Sequence, residues 1–211
     1  MSSPYFEVLG KNHREVFQRL EGFAQEGVLG GGTALSLQIA HRCSYDFDIF
    51  TKKPIKRRFL DRAQEVFGED IKVSVDSGDE LSFLTPKKIK VSFIYFPFKH
   101  LHKVVETESV SLFALPDLAS SKAYAIGRRG EYRDYVDLFF LLKKGLQLEK
   151  IIEEAQERFK GAFSEKLFLE QLIYFGDLKD FAVEFIDKKC SPKQVLEFFE
   201  SKVAAYTTAE L

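Results

Sequence analysis

Along the first half of the chain the apolar positions change period several times. Residues 11–25 repeat at helical spacing, with Val16, Phe17, Leu20 and Phe23 on one face. A short apolar step, Val28 and Leu29, runs into Gly30, Gly31, Gly32 and Thr33. Residues 34–40 are apolar and suit a helix, whereas 46–50 alternate as a strand does. Residues 54–67 are amphipathic again, with Ile55, Phe59, Leu60, Ala63 and Val66 inward and Gly68 as the stop. Strand-like runs come next at 71–75, 81–85 and 89–96. Ser77, Gly78 and Asp79, then Pro86 and Lys87, punctuate them and predict antiparallel hairpins.

From Pro116 onward only helical patterns are read. They predict helices over 116–127, 133–144, 148–159, 164–175, 177–188 and 192–205. Ser191 followed by Pro192 is a start signal, a capping hydroxyl before proline at the first helical position. The expected class is α/β (α+β): a mixed sheet flanked by helices over residues 1–115, followed by an all-helical C-terminal lobe over 116–211.

Composition narrows the picture. With 45% hydrophobic and 30% charged residues, the chain can bury a core and stay soluble, which excludes disorder as its main state. Phe occurs 22 times, Met once and Trp never, so phenylalanine is expected to fill the core. The 31 basic and 32 acidic residues leave a net charge of -1, with no bulk attraction to nucleic acid; a local patch remains open. Cys43 and Cys190 fit no metal-ligand spacing, which suits a reduced, cytoplasmic protein. The start, MSSPYFEVLGKNHREVF, lacks a signal-peptide pattern, and no apolar run nears the roughly 20 residues of a membrane helix.

The chemistry concentrates in GVLGGGTALSLQIAHRCSYDFDIF, residues 27–50. Gly31 and Gly32 let backbone amides approach a ligand without an intervening side chain. A helix starting there points free N–H groups and its positive end at the same place. Thr33 adds a hydroxyl, completing a phosphate cradle. Thirteen residues later comes Asp46, then Asp48, and on a strand such a pair faces one way. Two carboxylates beside a phosphate cradle can share Mg²⁺ with a nucleotide, the equipment of phosphoryl or nucleotidyl transfer.

This block resembles the polymerase-β-like nucleotidyltransferases, and within them the AbiEii-type toxins of bacterial type IV toxin–antitoxin systems. The shared pattern is GG[ST]AL–HR–S–DxDxF, matched by Gly31, Gly32, Thr33, Ala34, Leu35, His41, Arg42, Ser44, Asp46, Asp48 and Phe50. A second block, LASSKAYAIGRRGEYRDYVDLFFLL, supplies Lys122, Arg128, Arg129, Arg133, Asp134 and Asp137. The resemblance implies a nucleotidyltransferase-type sheet in residues 1–115 and a nucleotide in the cleft between it and the helical lobe. It implies that Gly31, Gly32 and Thr33 hold a nucleoside triphosphate, with Lys122 and Arg129 on its phosphates. Asp46 and Asp48 would bind Mg²⁺, with Mn²⁺ as the other candidate ion. Asp134 would act as a base or orient the cations around it. RNA, including tRNA, is the implied acceptor, and a cognate antitoxin the implied partner.

One position departs from the pattern. Many nucleotidyltransferases place a third carboxylate on a later central strand. Here that strand is KIKVSFIYF, with Ser92 where the acid would stand, and Asp134 or Asp137 are the candidate substitutes. A non-catalytic nucleotide- or partner-binding module is therefore the alternative reading. Rival Asp-x-Asp chemistries fit less well: dehalogenase-type phosphatases follow the pair with Thr or Val, not Phe50, and glycosyltransferases need a longer preceding fold.

Bland readings stand beside these. Arg133 and Asp137 could be a surface pair four residues apart, and Lys122 a solvated lysine. Lys52, Lys53, Lys56, Arg57 and Arg58 read as a solvated helix face more readily than as a polynucleotide patch. His100 and His102 suit a loop, and His41 a packing role behind the Asp46 strand.

Overall fold

In the computed structural model, which describes residues 4–209, these period changes become elements. Helix α1 (Lys11–Arg19) tightens into a 3-10 turn (Leu20–Phe23), and Val16, Phe17, Leu20 and Phe23 are all buried. Then come β1 (Gly27–Leu29), α2 (Gly31–Ile39), β2 (Phe47–Thr51), α3 (Arg57–Phe67), β3 (Lys72–Asp76), β4 (Glu80–Leu84) and β5 (Lys90–Tyr95). Backbone contacts divide the chain into two units, one ending at Ala114 and the next starting at Leu115.

In the first unit the strands form one mixed sheet in the order β1-β2-β5-β4-β3. β2 and β5 run parallel, and every other pairing is antiparallel. Register gives the sheet two different faces, because side chains alternate along each strand. Ile49, Phe93 and Leu81 lie opposite one another, as do Phe47, Val91 and Phe83, and all six are buried. Phe23, Phe59 and Phe67 pack on this face, at ring distances of 4.5 Å and 5.5 Å to Phe93 and 5.6 Å to Phe83 respectively. The abundant phenylalanine thus forms the core between sheet and helices, where offset aromatic contacts add to burial. The opposite face carries Asp48, Ser92 and Ser82 in one row.

Two boundaries differ from expectation for local reasons. Residues 54–56 stay outside α3, because the Ile55 N–H donates to the Gly78 carbonyl (2.8 Å) and Lys56 is extended. Phe67, not Val66, takes the last buried position before Gly68, whose φ of 99° ends the helix. Beyond β1, Leu29 donates to Ser111 and accepts from Phe113, so residues 111–113 line that edge.

The second unit contains α4 (Leu115–Ile126), α5 (Tyr132–Lys143), α6 (Leu148–Phe159), α7 (Glu165–Leu172) and α8 (Pro192–Ala209). Arg158 of α6 is fully buried and clamps α4: its Nη1 donates to the Asp117 carbonyl (2.5 Å) and to Ser120 Oγ (2.6 Å). Burial pushes this guanidinium's pKa down, and Asp117 and then Glu154 oppose the shift.

The helix expected over 177–188 does not form. Phe181 meets Tyr132 at 5.0 Å and Phe185 meets Phe140 at 6.3 Å. Those partners lie about 12 Å apart along α5, at 1.5 Å per helical residue. Four helical residues would reach only about 6 Å, while four extended ones reach about 13 Å. Asp180 Oδ1 also accepts from the Ala182 N–H (2.8 Å), a local bond that competes with helix formation.

Candidate functional site

The glycine run becomes the junction between β1 and α2. Gly30 precedes the helix in extended conformation, and its N–H donates to the Asp48 carbonyl (2.9 Å). That bond brings the loop beside β2. Gly31 has φ 64°, and a Cβ there would lie 2.8 Å from Asp48 Oδ2. A Cβ on Gly32 would lie 2.5 Å from Arg42 Nη2. The positive φ requires glycine at position 31, while a side chain at 32 would displace the end of the Arg42 guanidinium. The first-turn amides of α2 have no partner one turn earlier, so the helix start is equipped for an anion.

Thr33 is buried, and its hydroxyl has a local task. Oγ1 donates to the Asp46 carbonyl (2.5 Å), with Ser44 Oγ 3.0 Å away. A hydroxyl has one proton and the carbonyl can only accept, so Ser44 donates to Thr33. Thr33 thus fixes the entry to β2. Arg42, also buried, donates Nη1 to the Cys43 carbonyl (2.9 Å) and closes the same turn.

Burial alternates along the acidic strand. Phe47, Ile49 and Thr51 are buried, while Asp46 is exposed and Asp48 half-buried. Asp46 precedes the first strand residue, and Asp48 turns toward the Gly31 loop. His13 of α1 lies beside this entry, its ring 5.6 Å from Tyr45. Burial pushes its pKa down, opposed by a hydrogen bond to the Tyr45 backbone and by the Asp46 charge.

Ser92 stands opposite Asp48 on the parallel neighbour β5. Its hydroxyl lies 2.8 Å from Ser82 Oγ, which lies 2.5 Å from Glu80 Oε1. An ionised carboxylate only accepts, so the protons point from Ser92 to Ser82 to Glu80. Reading along the chain missed this row, because three weakly patterned residues meet only through strand register.

The second block gathers in the second unit. Lys122 of α4 is buried, with Nζ 2.6 Å from Asp134 Oδ1 and 2.6 Å from Asp137 Oδ2 of α5. The solvated-lysine reading is thereby corrected, as is the Arg133–Asp137 surface pair: Asp137 faces inward to Lys122, and Arg133 lies 3.8 Å from Glu131. Arg129 stays exposed, with Nη2 3.4 Å from Asp134 Oδ2. His100 is a loop residue whose Nδ1 lies 2.8 Å from the His102 carbonyl.

Among the described residues no three His, Cys, Asp or Glu side chains gather as a metal cage. A divalent ion here would need oxygens from a ligand. The hard carboxylate of Asp48, beside Gly31 at the start of α2, fits an Mg²⁺ shared with phosphates.

A mixed sheet of this order, with a glycine turn and acidic strand side by side, defines a protein of the nucleotidyltransferase class. Solved structures share the fold. MenT4, the nucleotidyltransferase toxin Rv2826c from Mycobacterium tuberculosis H37Rv, superposes with a TM-score of 0.60 at 13% identity, over 92% of this chain and 82% of that one. A candidate nucleotidyltransferase from Helicobacter pylori gives 0.59 at 17% identity, over 93% and 95%. The family described as "Nucleotidyl transferase AbiEii toxin, Type IV TA system" matches residues 16–189. The chain belongs to that family and is a nucleotidyltransferase by class. It is also 30% identical to the uncharacterized protein aq_aa25 of Aquifex aeolicus (strain VF5), over 94% of this chain and 97% of the relative.

Proposed function

We propose that this protein moves a nucleotidyl group from a nucleoside triphosphate to a hydroxyl of an RNA acceptor such as tRNA, using Mg²⁺, and that a cognate antitoxin restrains it. The observation that carries this reading is the Asp48 carboxylate turned onto the Gly31 loop at the start of α2. The amides of Gly31, Gly32 and Thr33 receive the triphosphate. Asp46 and Asp48 hold Mg²⁺, or Mn²⁺, which when bound neutralises phosphate charge. Lys122 and Arg129 are the candidate phosphate-binding cations, and both pair with Asp134. Residues 1–115 act as the transferase core, followed by the helical lobe of residues 116–211.

One observation favours a second reading, a nucleotide- or partner-binding module that keeps the fold. Ser92 occupies the register position where a third acid would activate the attacking hydroxyl. Pyrophosphate release with each nucleoside triphosphate, Mg²⁺ and total RNA separates the two. Under the transfer reading, wild type releases pyrophosphate and Asp48→Asn loses release by at least a hundredfold while keeping its fold. Equal release from both proteins rejects the two-carboxylate mechanism, and binding without release from either supports the module.

A further inference from the structure

The basic cluster after β2 does not simply face solvent. Lys52, Lys53, Lys56 and Arg58 line a cleft of about 510 Å³ in the first unit, beside the β1–β2 edge. All four side chains are exposed. The same cleft has an aromatic wall. Phe98 meets Phe96 edge-on at 5.1 Å, and Phe96 meets Phe50 at 5.1 Å. Phe50 in turn contacts Phe113 at 5.8 Å, and Phe113 contacts His100 at 5.9 Å. Phe98, Phe96, Phe50 and His100 are half-buried, leaving ring surface toward the cleft, while Phe113 backs them.

We infer that this cleft binds single-stranded RNA, the bases stacking on the phenylalanine wall and the phosphates meeting the four cations. Positive charge tracking a backbone beside aromatic rings is the combination that holds unpaired strands. A duplex hides its base faces and cannot use the wall. Four cations also argue against an apolar peptide or a second copy of this chain, whose net charge is only -1. The choice of RNA over DNA rests on the acceptor reading above. The cleft's position suits that reading: Phe50 follows Asp48 by two residues on one strand face, roughly 7 Å along β2. A strand lying on the wall would lead its end toward the acidic site. Gly30 makes the arrangement possible, since a Cβ there would fall 2.5 Å from Phe50 Cε2.

The test measures fluorescence anisotropy of a labelled uridine-rich RNA oligomer, without nucleotide or metal. Binding is then read whether or not the protein transfers anything. The result expected is saturable binding to single-stranded RNA, at least tenfold weaker binding to the same sequence as duplex, and no tighter binding to the DNA version. Lys52→Ala with Lys53→Ala flattens the salt dependence of log affinity by about 1.4, two charges at about 0.7 each on a single strand. Phe98→Ala weakens binding roughly 5- to 150-fold, as loss of one stacked base does. The lysine pair is exposed, so its readout survives even if Phe98→Ala unfolds. No binding at low salt, an unchanged slope in the lysine variant, or duplex preference overturns the proposal. Preference for DNA overturns the assignment to RNA. RNA binding without pyrophosphate release leaves the cleft standing and rejects the transfer reading.

Discussion

At Gly31 a single hydrogen atom decides two things. Its φ of 64° disfavours any Cβ, and that Cβ would also press on Asp48 Oδ2. Gly31→Ala is expected to cost about 1–2 kcal/mol from the left-handed backbone alone. It should also displace the Asp48 carboxylate, so activity falls further than stability, by an expected hundredfold or more. Thermal melts beside pyrophosphate assays check this; a variant that melts lower but releases pyrophosphate normally would separate Asp48 from the chemistry. Lys122 shows the opposite balance. It neutralises two buried carboxylates at 2.6 Å each, so it is structural whatever else it does. Lys122→Ala strands that charge and is expected to destabilise by about 3–5 kcal/mol. Denaturant titration measures it, and a loss below about 1 kcal/mol would mean the carboxylates find other partners.

At the scale of elements, strand register decides more than any motif. The parallel pairing of β2 and β5 sets Ser92 beside Asp48, and the antiparallel pairing of β5 and β4 sets Ser82 beside Ser92. A slip of one residue would send these groups into the phenylalanine core. Ser92→Asp restores an acid to the row, about 4.8 Å from β2. It is expected to raise the transfer rate and lower the melting temperature, because a buried carboxylate is added beside Asp48. A rate equal to wild type would show that the row does not face the attacking hydroxyl. The 177–188 segment obeys contacts in the same way. Its apolar spacing suits a helix, yet reach along α5 requires extended chain.

For the whole molecule, pH stability is set partly by α5. Burial pushes both Tyr132 and Tyr135 up to about 12, with Cys190 and Asp134 as lesser respective causes. A phenol whose folded pKa is raised contributes stability that is full below the unfolded value of about 10. That contribution is lost as pH rises toward 12. Alkaline titration should therefore show late-ionising tyrosines among the eight, with the melting temperature falling between pH 10 and 12. All eight ionising together near pH 10 in the folded protein would contradict the burial of α5.

Much of the architecture is readable from neighbours in sequence. Periodicity locates α1, α3, β4, β5 and α4 to α6 within a few residues, because each must bury one face or stripe. Glycine spacing and the Asp46, Asp48 alternation mark the loop and strand that meet, since both depend on local backbone geometry. Meetings between distant residues are a matter of tertiary structure alone. The burial of Lys122 between two acids, the Ser92–Ser82 contact and the aromatic wall behind a basic cluster each join residues 10 or more positions apart. No local propensity encodes such meetings. They arise because sheet register and helix packing leave one arrangement that buries the phenylalanines, and the polar groups fall where that arrangement puts them.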